Sequence, residues 1–439
     1  MVKTVLVTGA SGFLAAYCID EFLKAGWTVR GTVRSAAKSQ HILDRYPKGA
    51  KLALVEVPDI VTGEGLAEAL NGVDAVAHTA SPSVGRRSNE GFHSTSSRWY
   101  SVSLEGGKGA CSSGTLAALK LNRPNRERPP QAAGIKRVVV TSSFAAVTNF
   151  TLGALLTLSL STKTDELSSG GPFRDYTYTS KDWNPSTLEN AVEPGRPGAF
   201  VYSASKTLAE HAALDYGKES GLQGEPFPQI LTVYLKAKLL KSRSRDLEPS
   251  HDLYVRPLAD RERIADLNQL PIDGPPLQAM HSKSDINTSS NAIYALISGP
   301  SEREVPGNRL PLFCNVTDVA LAHVKGSFHL QIFLSVDGVS CSAGVLSPGN
   351  RLASFLIPSE GNLTLHQLLQ AIEYLATARP ALASRLPQLP KEAAAPQKIA
   401  TLDVSPAKEL LGMSEFKGWK ETLLETIDAL VDKEKEWGA

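Results

Sequence analysis

Cysteine is scarce in this chain. Cys18, Cys111, Cys314 and Cys341 are the four in 439 residues. None sits in a Cys-x-x-Cys pair or beside a spaced histidine pair, so the pattern suggests no zinc site. Scattered thiols fit a reducing compartment. An excess of one charge is lacking too. Lys and Arg number 46 against 45 Asp and Glu, a formal net charge of +1. That balance argues against a nucleic-acid binder, which usually carries a basic face. No run approaches the roughly 20 apolar residues of a membrane helix. The first apolar run breaks at Gly9, before it could serve as a secretory signal. These absences lead us to expect a cytoplasmic protein with no nucleic-acid or membrane partner. Apolar residues are plentiful at 42%, enough for a sizeable core.

The first third alternates short β-branched runs with helical periods. Strands are predicted at 4–8, 28–33, 52–57, 75–78 and 137–142, and helices at 13–25 and 66–70. In the first helix Leu14, Cys18 and Phe22 share a face, which makes Cys18 core. Continuous β-branched strands separated by helices predict a parallel sheet covered on both faces. Right-handed crossovers then give an α/β, doubly wound fold of Rossmann type. Near its end the chain predicts amphipathic helices at 363–377 and 418–436, with a Pro- and Ala-rich loop between them. Four stretches show no period: 83–113, 151–171, 235–273 and 326–348. Structureless runs of that length are unusual in a compact domain, so they read as inserts. The expected division is a Rossmann-type domain over 1–234 and a smaller domain over 274–439, interleaved with the first.

Three motifs carry chemistry. Thr8-Gly9-Ala10-Ser11-Gly12-Phe13-Leu14-Ala15 follows a predicted strand and opens a predicted helix. Glycines there let the backbone approach a pyrophosphate resting on the helix N-terminus. The second strand ends in Thr32-Val33-Arg34-Ser35, with Lys38 one turn on. An acidic residue there would hold the ribose 2′-hydroxyl of NAD, whereas two cations suit a 2′-phosphate. The implied cofactor is NADP(H).

The second motif, Tyr202-Ser203-Ala204-Ser205-Lys206, puts a phenol and an amine on one helix face. A nearby ammonium favours the phenolate, and such a tyrosine can pass a proton to a carbonyl as hydride arrives. The third, Thr141-Ser142-Ser143, ends the fifth strand. A hydroxyl there could orient a substrate carbonyl or equally cap a helix.

In this order the motifs resemble the extended short-chain dehydrogenase/reductase family, in its dihydroflavonol reductase and methylglyoxal/aldehyde/ketone reductase branch. The segments that carry the resemblance include VTGASGFLAAY, VRGTVRS, VDAVAHTASP, GIKRVVVTSSFAAV, KDWNP, YSASKTLAE and LPLFCNVTDVALAHV. It implies a catalytic set of Ser143, Tyr202 and Lys206. It implies cofactor contacts from Gly9, Gly12, Phe13, Leu14, Arg34, Lys38, Asp59, Thr79, Ala80 and Ser81, besides Tyr202 and Lys206. Asp59 would meet the adenine amine, though after Pro58 it could also cap a helix.

The expected reaction interconverts a small-molecule ketone or aldehyde and an alcohol, in a monomer or homodimer. A nucleotide-sugar epimerase or dehydratase is the alternative within enzymes. The run Phe144-Ala145-Ala146 disfavours it, because dehydratases of this fold tend to place an acidic pair there. A catalytically silent NADP-binding protein is the alternative outside them, disfavoured by the Tyr-x-x-x-Lys unit. The inserts fall where matching segments stop and restart. The residues 83–113 replace most of a family helix that leads into Gly114-Thr115-Leu116. The stretch after 234 displaces a Pro-Pro turn, whose pattern resumes at Gly274-Pro275-Pro276. They read as translated non-coding stretches, with genuine surface loops as the alternative.

Overall fold

The computed structural model describes residues 2–60, 62–80, 135, 137–148, 175–191, 193, 198–219, 229–235, 272–306, 313–328, 352–357, 365–390 and 400–438. The expected inserts 83–113 and 151–171, and most of the other two, lie outside these residues.

The chain opens with strand β1 (Thr4–Thr8), helix α1 (Phe13–Lys24) and strand β2 (Thr28–Val33). Helix α2 (Gln40–Asp44), strand β3 (Leu52–Glu56), helix α3 (Leu66–Ala69) and strand β4 (Ala75–His78) follow. Beyond the first insert come β5 (Arg137–Thr141), a 3-10 turn (Phe144–Ala146), β6 (Thr177–Tyr178) and α4 (Leu188–Ala191). Helix α5 (Gly198–Glu219) leads to β7 (Gln229–Leu235). The rest comprises β8 (Ile272–Asp273), α6 (Thr288–Tyr294), β9 (Cys314–Asn315), α7 (Val316–Ser327) and β10 (Leu352–Ile357). It ends with α8 (Leu365–Ala378), β11 (Thr401–Leu402), α9 (Ser405–Leu411) and α10 (Trp419–Glu436).

Seven strands form one parallel sheet in the order β10-β7-β5-β4-β1-β2-β3. The order reverses between β1 and β4, and that reversal opens a crevice at the carboxyl ends of the strands. Side chains alternate across β1 and so feed two cores. Val5 and Val7 of β1 join Val29, Ala75 and Val139 beneath α1 and α7. Leu6, between them, joins Val76, Val138, Leu66 and Leu70 on the opposite face.

A further apolar cluster unites α6, α8 and α10 through Ile293, Ile372, Leu375, Ile427 and Leu430. Arg385 clamps its edge, donating to both carboxylate oxygens of Glu434 at 2.8 and 2.6 Å. A bidentate pair of this kind fixes geometry as well as charge. Asn315 binds this cluster to the sheet domain: its Oδ1 caps α7 by accepting from Thr317 N, and its Nδ2 donates to Thr422 Oγ1 on α10.

The doubly wound sheet matches the expectation, and β1, β2 and β4 have the expected bounds. The insert boundaries need correction. Leu235 completes β7 in register with Ile357, and Ile272–Asp273 pairs with Cys314–Asn315. Gly326 and Ser327 belong to α7, where Ser327 Oγ donates back to His323 O at 2.8 Å. Small residues hide the period there, because they pack closely rather than by bulk. Among the described residues no helix is long and apolar enough to cross a membrane.

Candidate active site

The glycine turn is shaped by steric need. Gly9 has φ +71, and a Cβ on it would lie 3.1 Å from Ala80 Cα. A side chain there would be strained and would press on the start of the loop after β4. Gly31 packs as tightly, since its Cβ would meet Ala10 Cβ at 2.7 Å. Gly12 then enters α1 in extended conformation, with no side-chain cap and no acidic residue in the first turn. The first amides of a 12-residue helix therefore point into the crevice, a ready anion site. Phe13 stacks edge-on against Tyr17 at 5.8 Å, and Leu14 is buried in the core.

The other expected cofactor residues line the same sheet edge in strand order. Asp59 lies on the exposed turn after β3, where its carbonyl accepts from Gly63 N. Arg34 follows directly on β2, and Lys38 comes next on a 3-10 turn, both exposed. Thr79 and Ala80 leave β4, and Thr79 Oγ1 donates to Thr8 O at 2.5 Å. Ser81 lies outside the described residues. The cradle fits a dinucleotide phosphate: its glycines leave room for backbone approach, and two cations stand where an NAD-binding carboxylate would be.

Thr8, His78 and the β4 loop form a network that the motif search did not single out. Thr8 Oγ1 accepts from Thr79 N and Ala80 N, each at 3.1 Å. Both lone pairs are then used, so its hydrogen goes to His78 Nδ1 at 3.0 Å. Burial first, then the charges of Lys206 and His323, lower the His78 pKa to about 4. The ring is neutral at physiological pH.

Helix α5 carries Tyr202 and Lys206. The residues 200–207 are all buried, so this stretch has no solvent face. Its hydroxyls turn inward: Ser205 Oγ donates to Tyr202 O, and Thr207 Oγ1 to Ser203 O. The Lys206 Nζ stands 5.7 Å from the centre of the Tyr202 ring. Tyr202 is 8% exposed and Lys206 7%. The phenol and the amine thus share one helix face out of bulk water.

The strand-end hydroxyls divide their work. Thr141 Oγ1 meets His323 Nε2 at 2.8 Å, and His323 Nδ1 donates to Val319 O. A carbonyl can only accept, so Nε2 must accept the threonine hydrogen. Burial lowers the His323 pKa to about 4. Ser142 Oγ donates to Glu210 Oε2 on α5 at 2.6 Å. Ser143 Oγ accepts from Ala145 N at 3.2 Å, which leaves its own hydrogen to donate. Helix α5 packs on the turn that follows Ser143.

Asn184 holds that turn from the other side. Its Nδ2 donates to Ala145 O at 2.9 Å and Thr148 O at 2.8 Å, and its backbone N to Ala146 O. Next to it, Trp183 stacks on His211 of α5 with centroids 3.9 Å apart. His78, Asn184, Glu210 and His323 all fall inside the segments that carried the resemblance. Their roles were hidden because each acts on a neighbour distant in sequence.

Comparison with known proteins agrees with this architecture. The model of the NmrA-like family matches residues 1–91. An uncharacterized oxidoreductase of Schizosaccharomyces pombe is 30% identical over 352 residues, covering 79% of this chain and 80% of its own. The NADPH-dependent methylglyoxal reductase GRE2 of Saccharomyces cerevisiae is 24% identical over 436 residues, 98% of each chain. The crystal structure of yeast methylglyoxal/isovaleraldehyde reductase Gre2 with NADPH superposes with TM-score 0.65 at 21% identity, over 98% of this chain and 99% of that one.

Proposed function

The chain belongs to the extended short-chain dehydrogenase/reductase family, and from that membership we propose that it reduces aldehydes or ketones with NADPH through Ser143, Tyr202 and Lys206. The observation that carries the reading is the buried Tyr202–Lys206 pair at 5.7 Å, on a helix packed against the Ser143 turn.

Bound NADPH supplies a hydride to the carbonyl carbon. This chain's residues do the rest. The α1 N-terminus and the Gly9 turn hold the pyrophosphate, while Arg34 and Lys38 meet the 2′-phosphate. Asp59, Thr79 and Ala80 line the remainder of the cofactor cleft. Ser143 donates to the carbonyl oxygen and orients it. Tyr202 passes its hydroxyl proton to that oxygen as negative charge develops, and Lys206 stabilises the phenolate left behind. Lys206 also grips the nicotinamide ribose. The C-terminal part supplies walls for the substrate. Relatives named as methylglyoxal and aldehyde reductases support a small carbonyl substrate.

The test is Tyr202→Phe, assayed by NADPH consumption over a panel of aldehydes, diketones and ketones. We expect turnover to fall by at least about a hundredfold, the usual share of a positioned acid, with NADPH binding retained. Normal turnover in that variant would remove Tyr202 from the chemistry. NADPH binding without turnover of any carbonyl by the unaltered chain would favour a silent binding protein.

A further inference from the structure

We propose that Glu210 is a positioning residue that sets the alignment of Ser143 with the Tyr202–Lys206 pair, acting through Ser142. The proposal rests on the catalytic reading above and adds a member to it.

Glu210 follows Tyr202 and Lys206 at intervals of four, so the three fall along one stripe of α5. It is 1% exposed, in a helix whose residues 200–207 are themselves buried. A carboxyl group is rarely enclosed to that degree unless it is paired. Its Oε2 accepts the Ser142 hydrogen at 2.6 Å, and Ser142 is itself 6% exposed. This single contact spans 68 residues and joins the two elements that must agree for the reaction. One is the helix that presents phenol and ammonium. The other is the end of β5 that presents Ser143.

The geometry limits the play of the strand end. Successive residues point to opposite sides of a strand, so Ser142 reaches α5 while Thr141 reaches His323 on α7. The strand end is thus tied to helices by two hydroxyls before it releases Ser143. Without the Glu210 contact the strand end keeps its backbone ladder to β4 and β7 but loses the Ser142 tether to α5. A reacting hydroxyl displaced by even an ångström costs heavily in rate.

Four variants test this: Ser142→Ala, Glu210→Ala, the pair combined, and Glu210→Gln. Rates are normalised to sites titrated with NADPH, so misfolded protein is not counted. Each single alanine variant should lower kcat by about tenfold to a hundredfold while KM for NADPH changes far less. The combined variant should lose no more than the worse single, because both remove the same bond. Glutamine keeps an acceptor oxygen and should recover most of the loss. If Glu210→Ala does not fold, Ser142→Ala and Glu210→Gln carry the test. A folded Ser142→Ala with unaltered kcat would overturn the proposal, as would losses that multiply in the combined variant. Tyr202→Phe run alongside separates the two readings. If it turns over normally, the catalytic assignment fails. If it is inactive while the alanine variants are not, the role of Glu210 fails alone.

Discussion

In the proposed reading Arg34 and Lys38 choose the dinucleotide. Both stand exposed just past β2, and the strand-end position holds no carboxylate. A phosphate facing two cations gains charge-assisted hydrogen bonds that a ribose hydroxyl cannot match. Arg34→Ala combined with Lys38→Ala should raise KM for NADPH by about tenfold to a hundredfold, as expected for lost bonds to a charged group. KM for NADH should barely move. Equal losses for both cofactors, read from initial rates, would mean that these cations do not meet the 2′-phosphate. This preference was legible in the sequence because an isolated strand end needs no knowledge of distant contacts. The choice between Ser142 and Ser143 was not legible from residue type. It depends on Glu210, 68 positions away, engaging one hydroxyl and leaving the other to donate.

Among the elements, strands β1 to β5 were legible, while β10, the two-residue strands and the pattern of helix α5 were not. β1 is a run of β-branched and apolar residues buried on both faces, which the pattern reveals directly. Over residues 200–210 helix α5 buries serine, threonine, lysine and glutamate beside its apolar residues, so no polar face marks that stretch. Its Tyr-x-x-x-Lys motif gave it away instead. The turn after β5 depends on a side chain as well. Asn184 satisfies the Ala145 and Thr148 carbonyls and takes hydrogens from Ser186 N and Oγ at 2.9 and 2.6 Å. Removing a buried donor leaves its acceptors unsatisfied, at about 1–3 kcal/mol each. Asn184→Ala should therefore cost on the order of 3 kcal/mol in urea unfolding. Asn184→Asp should do no better, since an oxygen would then face two carbonyls. A change below about 1 kcal/mol in both variants would show that the turn stands without this support.

Across the whole molecule, burial of ionisable groups ties stability to pH. His78 and His323 lie on different elements, and both have their pKa lowered from 6.5 to about 4, chiefly by burial. The unfolded chain takes up a proton on each near pH 6.5, while the folded chain resists until about pH 4. Their contribution is complete above pH 6.5 and is lost as pH falls towards 4, at about 3 kcal/mol for each ring. Asp318 runs the other way. Burial raises its pKa from 3.8 to about 6, against the opposing donation from Lys417 N. Its folded form takes up a proton first, so acidification between pH 6 and 4 relieves a strain of about 3 kcal/mol. Two rings against one carboxylate leave a net loss on the order of 3 kcal/mol between pH 7 and 4.5. The urea midpoint should fall over that range. His323→Asn, which keeps a donor for Val319 O and an acceptor for Thr141, removes one titrating ring and should flatten the slope by about one proton. Asp318→Asn removes the opposing group and should steepen it. A midpoint that stays level in the unaltered chain, or a slope unchanged by His323→Asn, would mean that these rings are protonated inside the fold and that the neutral network around β4 and β5 is wrongly drawn.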